Sequence, residues 1–237
     1  MNIIFPEGIT FGLRYLSIYD TNPDLIPTNL NNAVAQQDRT VFDSHIDTSN
    51  VIDTSYFFSG CSLLCRVPEM DFSNVNTMYN TFSFCSSLVS IPQFDTSNVT
   101  TFFNCFSGCS SLVSIPQLNT SKAKTVSNMF ANCTSLRSIP LLDFGNVTSI
   151  SGLFGYSDIK TLTDLGGFKN LKIDFKNGLN KLPNLTVQSL MNVINNLYDF
   201  RANGSTTTRT LTIGTTNLNK LTDEQKAVAT NKGWNLN

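Results

Sequence analysis

The feature that most constrains the fold of this chain is a 24-residue repeat in its middle. Copies begin at Asp47, Asp71, Asp95, Asn119 and Asp143, and the first four follow one another without an insertion. A period of this length is typical of proteins whose repeats each form one small unit and pack only against their neighbours. The repeat therefore predicts an elongated stack of units rather than a single layered domain.

Apolar residues occupy fixed places in the unit. They are valine at the fifth place (Val51, Val75, Val99, Val147, with Ala123 as the exception), phenylalanine at the twelfth (Phe58, Phe82, Phe106, Phe130, Phe154), cysteine at the fifteenth (Cys61, Cys85, Cys109, Cys133), leucine at the eighteenth (Leu64, Leu88, Leu112, Leu136), and valine or isoleucine then proline at the next two fixed places (Val67-Pro68, Ile91-Pro92, Ile115-Pro116, Ile139-Pro140). Since one unit cannot bury its own apolar side, stacked copies place like over like and share a core.

Local patterns predict an α/β solenoid with capped ends. The Leu-x-x-Ile segment, for example Leu88–Ile91, predicts a short parallel strand that ends at Pro92, because proline has no N–H for the ladder. Val99 to Cys109 places apolar residues at spacings of three, four and three, which predicts helical or 3₁₀ turns on the other side. With strands about 4.8 Å apart, five coils make a stack roughly 20 to 25 Å tall.

The repeat carries a family resemblance. The string Phe-Ser-Gly-Cys-Ser-Ser-Leu-Val-Ser-Ile-Pro (106–116), with Asp-Thr-Ser-Asn-Val beginning the unit, resembles the BspA-like leucine-rich repeats of bacterial surface and phage-encoded proteins. The resemblance covers residues 47 to about 165. It implies a leucine-rich-repeat solenoid used in adhesion or host recognition, and it supplies no catalytic residues.

The two ends are predicted to differ from the repeats. Residues 1–46 are predicted to form an N-terminal cap, or a segment that attaches the repeats to a larger object. The repeats run over 47–165, and the fifth copy departs from the pattern, with Ser157 in place of cysteine and Ile159 one residue early. Residues 166–237 are predicted to form a C-terminal cap with two helices.

Within that C-terminal cap, residues 168–175 predict an edge strand and 208–213 another strand. Thr186 is predicted to open an amphipathic helix that extends to Asp199. Thr222, with Gln225 three places on, predicts a capping box for a second helix through Asn231. Gly233 is placed to end that helix, and Trp234 to Leu236 predict a last short strand.

Composition narrows the possible partners. Only 14% of residues are charged, the formal net charge is -1, and Lys and Arg are dispersed, so neither nucleic acid nor an anionic membrane is a predicted partner. No run of eighteen apolar residues is present, which argues against a membrane-spanning helix. Residues 1–9 lack the basic and apolar regions of a secretory signal.

Two sets of residues raise the question of a metal or a disulfide. The four repeat cysteines stack near disulfide spacing, but their place between core positions favours buried thiols. Zinc is disfavoured, because no Cys-x-x-Cys is present and His45 is the single histidine. A column of aspartates would suit calcium, but Asn119 in the same column favours turn capping. No cofactor or metal is predicted.

Catalysis has little support in this sequence. A nucleophile needs a base, and His45 stands alone outside the repeats, beside Ser44 and Asp47. The sequence therefore predicts no enzyme and no catalytic residue, and a hydrolase that depends on His45 is the weakest of the hypotheses.

Residues that vary between copies are the candidates for a binding site, because invariant positions build the coil. Four aromatic residues stand where other copies have Ser, Asn or Gly: Tyr56, Tyr79, Phe84 and Phe103. They suit a protein or a glycan, or else pack against the N-terminal cap. On the predicted strand side, the outward candidates are Arg66, Glu69, Gln93, Gln117 and Arg137.

The sequence thus favours a non-enzymatic adhesion or receptor-binding module, displayed outside the producing cell on a virion or on a bacterial surface. The alternative is a structural spacer without a ligand of its own.

Overall fold

A computed structural model of the chain describes residues 48–67 and 69–237. The predicted N-terminal cap (1–46), with His45, and the residues Asp47 and Pro68 lie outside the described residues. The repeats beginning at 47, 71, 95, 119 and 143 are called coils 1 to 5 below.

Backbone hydrogen bonds join each coil to the next. In coil 2, the N–H of Asn80 donates to the carbonyl oxygen of Phe103 at 2.9 Å, and the N–H of Phe82 donates to that of Cys105 at 2.9 Å. The residue at the place of Asn80 makes the same N–H to carbonyl bond in the other coils: Tyr56 to Tyr79, Asn104 to Ser127 and Asn128 to Ser151. Successive coils are therefore stacked in chain order.

Every second N–H group in this segment donates instead to a carbonyl of its own coil, three residues back, and so forms a tight turn. The N–H of Ser83 donates to the carbonyl of Asn80 at 3.2 Å, and that of Cys85 donates to the carbonyl of Phe82 at 3.1 Å. The predicted turns between Val99 and Cys109 form with the i to i−3 spacing of 3₁₀ bonds, but they do not continue as a helix. Two positions of each coil have a left-handed backbone, which an L-residue helix does not accept.

The predicted strand at Leu88–Ile91 does not form in coil 2, but the same segment pairs in parallel further along the stack, where Ser114 bridges Ser138 and Ser138–Ile139 forms a strand. A second line of parallel bridges, which was not predicted, follows the seventh place of the coil: Asp53 to Thr77, Thr77 to Thr101, Thr101 to Thr125 and Thr125 to Ser149. On the predicted side, coil 2 is joined to coil 3 by the bond from Val113 N–H to the carbonyl of Val89, at 3.0 Å. Pro92 has no N–H with which to continue this pairing beyond Ile91.

Within the described residues, two-residue strands first appear in coil 4. Strand β1 (Ser138–Ile139) pairs in parallel with β3 (Asp164–Leu165), and β2 (Leu142–Asp143) pairs in parallel with β4 (Phe168–Lys169). The stacking thus continues past residue 165. In the predicted strand at 168–175, Phe168 and Lys169 form β4, and Phe175 makes an isolated parallel bridge with Leu211.

The core is a ladder of phenylalanine rings. Phe58, Phe82, Phe106, Phe130 and Phe154 are fully buried. Their ring centroids lie 5.4, 5.5, 5.9 and 6.2 Å apart from one coil to the next. The prediction that equivalent side chains share one interior is confirmed for this position.

The C-terminal elements include both predicted helices. Helix α1 (Val187–Asn196) begins at Thr186, whose Oγ1 accepts the N–H of Ser189 at 3.1 Å. Helix α3 (Asp223–Asn231) has the predicted capping box of Thr222 and Gln225. Gly233 follows α3 with a φ of 89°.

Strands β5 (Arg209–Leu211) and β6 (Trp234–Leu236) pair in parallel near the chain end. A 3₁₀ helix (Leu179–Lys181) and a short helix α2 (Gly214–Leu218) were not predicted, because neither is long enough to show an apolar period. In the described part of the chain, each helix is too short or too polar to cross a lipid bilayer.

Candidate functional site

Three of the four predicted aromatic residues form one column. The rings of Tyr79 and Phe103 are stacked, with centroids 5.0 Å apart and planes inclined by 7°. The ring of Tyr56 lies against Tyr79 at 5.4 Å and is tilted by 59°. Tyr56 is 44% exposed, whereas Tyr79 and Phe103 are half-buried. These three residues are called the aromatic column below.

The bridge ladder beneath the column sets its spacing. Thr77 Oγ1 accepts the N–H of Tyr79, and Thr101 Oγ1 accepts the N–H of Phe103, each at 3.3 Å. Thr77 and Thr101 themselves pair across the coils. Since paired parallel strands lie about 4.8 Å apart, the ladder holds the two rings at stacking distance.

The aromatic column is uncharged at neutral pH. A hydrogen bond between the side chains of Tyr79 and Tyr56 raises the pKa of Tyr79, and partial burial raises this pKa further. The hydroxyl of Tyr79 therefore stays protonated. Tyr79 lies between the rings of Tyr56 and Phe103, so it presents mainly its ring edge and hydroxyl group, whereas Tyr56 and Phe103 each have one ring face against Tyr79.

Tyr56 has a left-handed backbone conformation, which asparagine and glycine adopt more readily than an aromatic residue does. Its φ is 61°, in the left-handed region. The same place in the later coils also has a positive φ and is occupied by asparagine or glycine: Asn80, Asn104, Asn128 and Gly152. An aromatic side chain is uncommon there, because its Cβ approaches the backbone carbonyl.

Phe84 repeats this exception four places further along the coil. Its φ is 60°, whereas the same place in coils 1, 3 and 4 holds Gly60, Gly108 and Asn132, also with positive φ. The Phe84 side chain is 62% exposed. Its ring lies over Gly108, where an added Cβ would come within 2.6 Å of Phe84 Cδ1.

Phe84 stands apart from the aromatic column. Among the described residues, no aromatic ring packs against that of Phe84. The sequence grouped the four aromatics together, and the structure places three of them in one column and the fourth over Gly108.

Two of the strand-side candidates have a structural role that the sequence analysis missed. The Nε2 of Gln93 donates to the carbonyl of Gln117 in the next coil at 2.7 Å. The Nε2 of Gln117 donates in the same way to the carbonyl of Leu141 at 2.7 Å. Each glutamine directly follows a proline, so its amide supplies a donor that the proline backbone lacks. Gln93 and Gln117 therefore join coils rather than offer free amides.

The other strand-side candidates are charged and exposed. Arg66, Glu69 and Arg137 extend into solvent. The ion pairs found in the described part of the chain involve none of the three. Their charges therefore remain available to a partner.

The repeat cysteines build the interior. All six cysteines lie in the described part of the chain, and none forms a disulfide. The thiols of Cys85, Cys109 and Cys133 donate to the carbonyl of the core phenylalanine one coil earlier, at 3.0 to 3.1 Å. Burial raises the pKa of Cys61 and of Cys133 to about 12. The prediction of buried thiols is confirmed for these positions, and such thiols are poor nucleophiles at neutral pH.

The aspartate column caps turns, as predicted. Oδ1 of Asp71, of Asp95 and of Asp143 accepts the N–H two residues on, at 2.8 to 2.9 Å. Asn119 Oδ1 accepts the N–H of Ser121 in the same way, at 3.1 Å. The hydrogen bond from Ser97 lowers the pKa of Asp95. Over the described residues, no group of three or more potential metal ligands comes together.

Among the described residues, sequence reasoning missed five exposed apolar residues: Ile52, Leu63, Val89, Tyr156 and Val187. Leu63 is 60% exposed and Tyr156 is 80% exposed, and Val89 is also exposed. The signal was present, because Leu63 stands where the next three coils have serine. Variation between copies therefore indicates exposed aliphatic residues as well as exposed aromatic ones.

Comparison with known proteins gives one match. No curated protein and no solved structure is significantly similar to this chain. Residues 28–144 match the model of a family described as "Mycoplasma protein of unknown function, DUF285". The matched segment contains coils 1 to 4, and by this match the repeat region of the chain is similar to the Mycoplasma family DUF285.

Proposed function

We propose that this chain is a non-enzymatic binding module of the leucine-rich-repeat type, similar to BspA-like proteins, which recognises a partner protein through exposed aromatic residues of coils 1 to 3. The matched family has no described activity, so the proposal depends on the site itself. It concerns the aromatic column and Phe84.

The observation that carries the proposal is the backbone of Tyr56 and Phe84. Both occupy left-handed positions that other coils give to glycine or asparagine. A bulky residue there costs about 1–2 kcal/mol. Phe84 is 62% exposed and Tyr56 is 44% exposed, so burial offsets only part of this cost. A contact outside the chain accounts for such residues, whereas a spacer without a ligand gives no reason for them.

A protein partner suits the column better than a glycan does. A sugar ring stacks on an open aromatic face, but the central ring of the column, Tyr79, has Phe103 at 5.0 Å and Tyr56 at 5.4 Å. Ring edges and tyrosine hydroxyls instead match the mixed apolar and polar side chains of a protein interface, where tyrosine and phenylalanine are enriched.

A binding screen with matched variants tests this proposal. The full chain is presented to host surface proteins and glycans, and each ligand found is measured again with Phe84→Asn and Tyr79→Ser. We expect at least about tenfold weaker binding for both variants, as for residues at the centre of an interface. Tyr156→Ser is the control, because Tyr156 is exposed but lies in coil 5.

The outcomes separate the hypotheses. Binding that survives both Phe84→Asn and Tyr79→Ser removes this face, and binding to glycans alone contradicts a protein partner. A screen in which nothing binds favours the spacer.

We also propose that the module is displayed outside the producing cell, on a bacterial surface rather than on a virion. The support is the family description, which names Mycoplasma, a bacterium. Protease treatment of intact cells, followed by mass spectrometry of the released peptides, is the test. Detection of the chain in purified phage particles, and not among these peptides, would contradict it.

A further inference from the structure

Charge is segregated along the stack of coils. Residues 48–118, the acidic half, contain one basic residue, Arg66, and four acidic residues, Asp53, Glu69, Asp71 and Asp95. Residues 119–237, the basic half, contain thirteen basic and seven acidic residues. Because the coils are stacked in chain order, sequence order becomes height along the stack. The molecule therefore has a negative part and a positive part, although its formal net charge is only -1.

Among the described residues no charge of the acidic half forms an ion pair, although, after the hydrogen bond from Ser97, the charge of Lys122 also helps to lower the pKa of Asp95. The ion pairs of the described residues, Lys169 with Asp143, Lys176 with Asp174 and Lys226 with Asp223, all lie in the basic half. With coils about 4.8 Å apart, coil 2 and coil 5 are separated by roughly 15 Å. This exceeds the Debye length of about 10 Å at 0.1 M salt, so salt screens most of the attraction between the charges of coil 2 and those of coil 5.

We propose that two copies of this chain associate side by side in antiparallel orientation, with the acidic half of each copy against the basic half of the other. One two-fold axis then makes both charge contacts favourable, and the assembly closes as a dimer. A parallel pair would place like charges together. This inference goes beyond the proposed function, because it concerns a second copy of the chain and requires no host partner.

Salt dependence gives the first test. Sedimentation velocity of the full chain is measured at about 20 mM salt, where the Debye length is roughly 20 Å, and at about 500 mM salt, where it is roughly 4 Å. We expect a dimer at low salt and a monomer at high salt. A monomer under both conditions overturns the dimer, and leaves the proposed binding function to its own screen.

Two double variants with the same net charge give the sharper test. Lys160→Gln with Lys176→Gln weakens the basic half, and Ser62→Glu with Ser90→Glu strengthens the acidic half. All four residues are exposed. Both pairs lower the net charge by two units but change the charge segregation in opposite directions.

We expect dimerisation to weaken about tenfold in the lysine pair, since each exchanged charge counts twice in a two-fold dimer and exposed pairs are individually weak. We expect it to strengthen in the serine pair. Equal effects in the two pairs would show a dependence on net charge alone and would overturn the antiparallel arrangement. Circular dichroism and thermal melts establish that each variant is folded.

Discussion

Coils 2 and 4 have the same backbone course but different residues at its left-handed positions. Coil 4 places Asn128 and Asn132 there, whereas coil 2 places Asn80 and Phe84. In both coils the N–H at the first of these positions donates to the next coil, from Asn80 to Phe103 and from Asn128 to Ser151. The stack therefore sets the backbone, and the residue at the second left-handed position adapts to it.

This difference separates two kinds of position. The phenylalanine ladder, the thiols and the capping aspartates recur from coil to coil and hold the stack together. Tyr56 and Phe84 have no counterpart in coil 4, which forms the same turns without them. Substitutions of the first kind should therefore be costly, and substitutions of the second kind should be tolerated.

The largest effect is expected in the core. Phe106 lies between Phe82 and Phe130, with ring centroids at 5.5 and 5.9 Å. Phe106→Ala should lower the free energy of unfolding by about 3–5 kcal/mol, because it leaves a cavity inside the stack. Urea denaturation measures this, with Phe84→Ala as the matched control. If Phe84→Ala lowers the free energy of unfolding as much as Phe106→Ala does, the two kinds of position do not differ in their contribution to stability.

Alkaline pH should weaken coils 1 and 4 alike. Burial raises the pKa of Cys61 and Cys133 to about 12, so between pH 9 and 12 the unfolded chain loses protons that the folded chain keeps. Stability then falls by about 1.4 kcal/mol per pH unit for each such thiol. Urea midpoints at pH 8, 9 and 10 should fall less steeply for Cys133→Ala than for the parent chain. Parallel pH profiles would mean that this thiol is not protected in the folded state.

Turn capping should be lost with alanine and kept with asparagine. Asp95 Oδ1 accepts the N–H of Ser97 at 2.9 Å, and Asn119 makes the same contact in the next coil. By analogy with helix caps, Asp95→Ala should cost about 1 kcal/mol, whereas Asp95→Asn should be nearly neutral. Thermal melts of both variants test this pair. A large loss in the asparagine variant would show that the charge, and not the hydrogen bond, matters.

The period of the sequence made the ladder predictable, because equal spacing alone places Phe82 over Phe106. The left-handed positions of the turns were not predicted, although asparagine and glycine at Asn80, Asn104 and Gly108 are typical of left-handed backbone. The apolar spacing of three and four matched a helix equally well.

The candidate site was predictable as a set of residues but not as a geometry. Variation between copies identified Tyr79 and Phe103, whose stacking depends on the spacing of the bridges beneath them. The role of Gln93 was hidden, because a side-chain bond to a backbone carbonyl one coil away leaves no local pattern. The strain at Phe84 follows only from the φ of its position.

The most direct test of the division between the two kinds of position is the free energy of unfolding of Phe84→Asn, measured by urea denaturation. The substitution gives coil 2 the residue that coil 4 carries as Asn132. Relief of the left-handed strain should offset the loss of the contact over Gly108, so we expect stability to be unchanged or to rise by up to about 1 kcal/mol. A loss well above about 1 kcal/mol would show that Phe84 holds the coil together, and would contradict its assignment to binding.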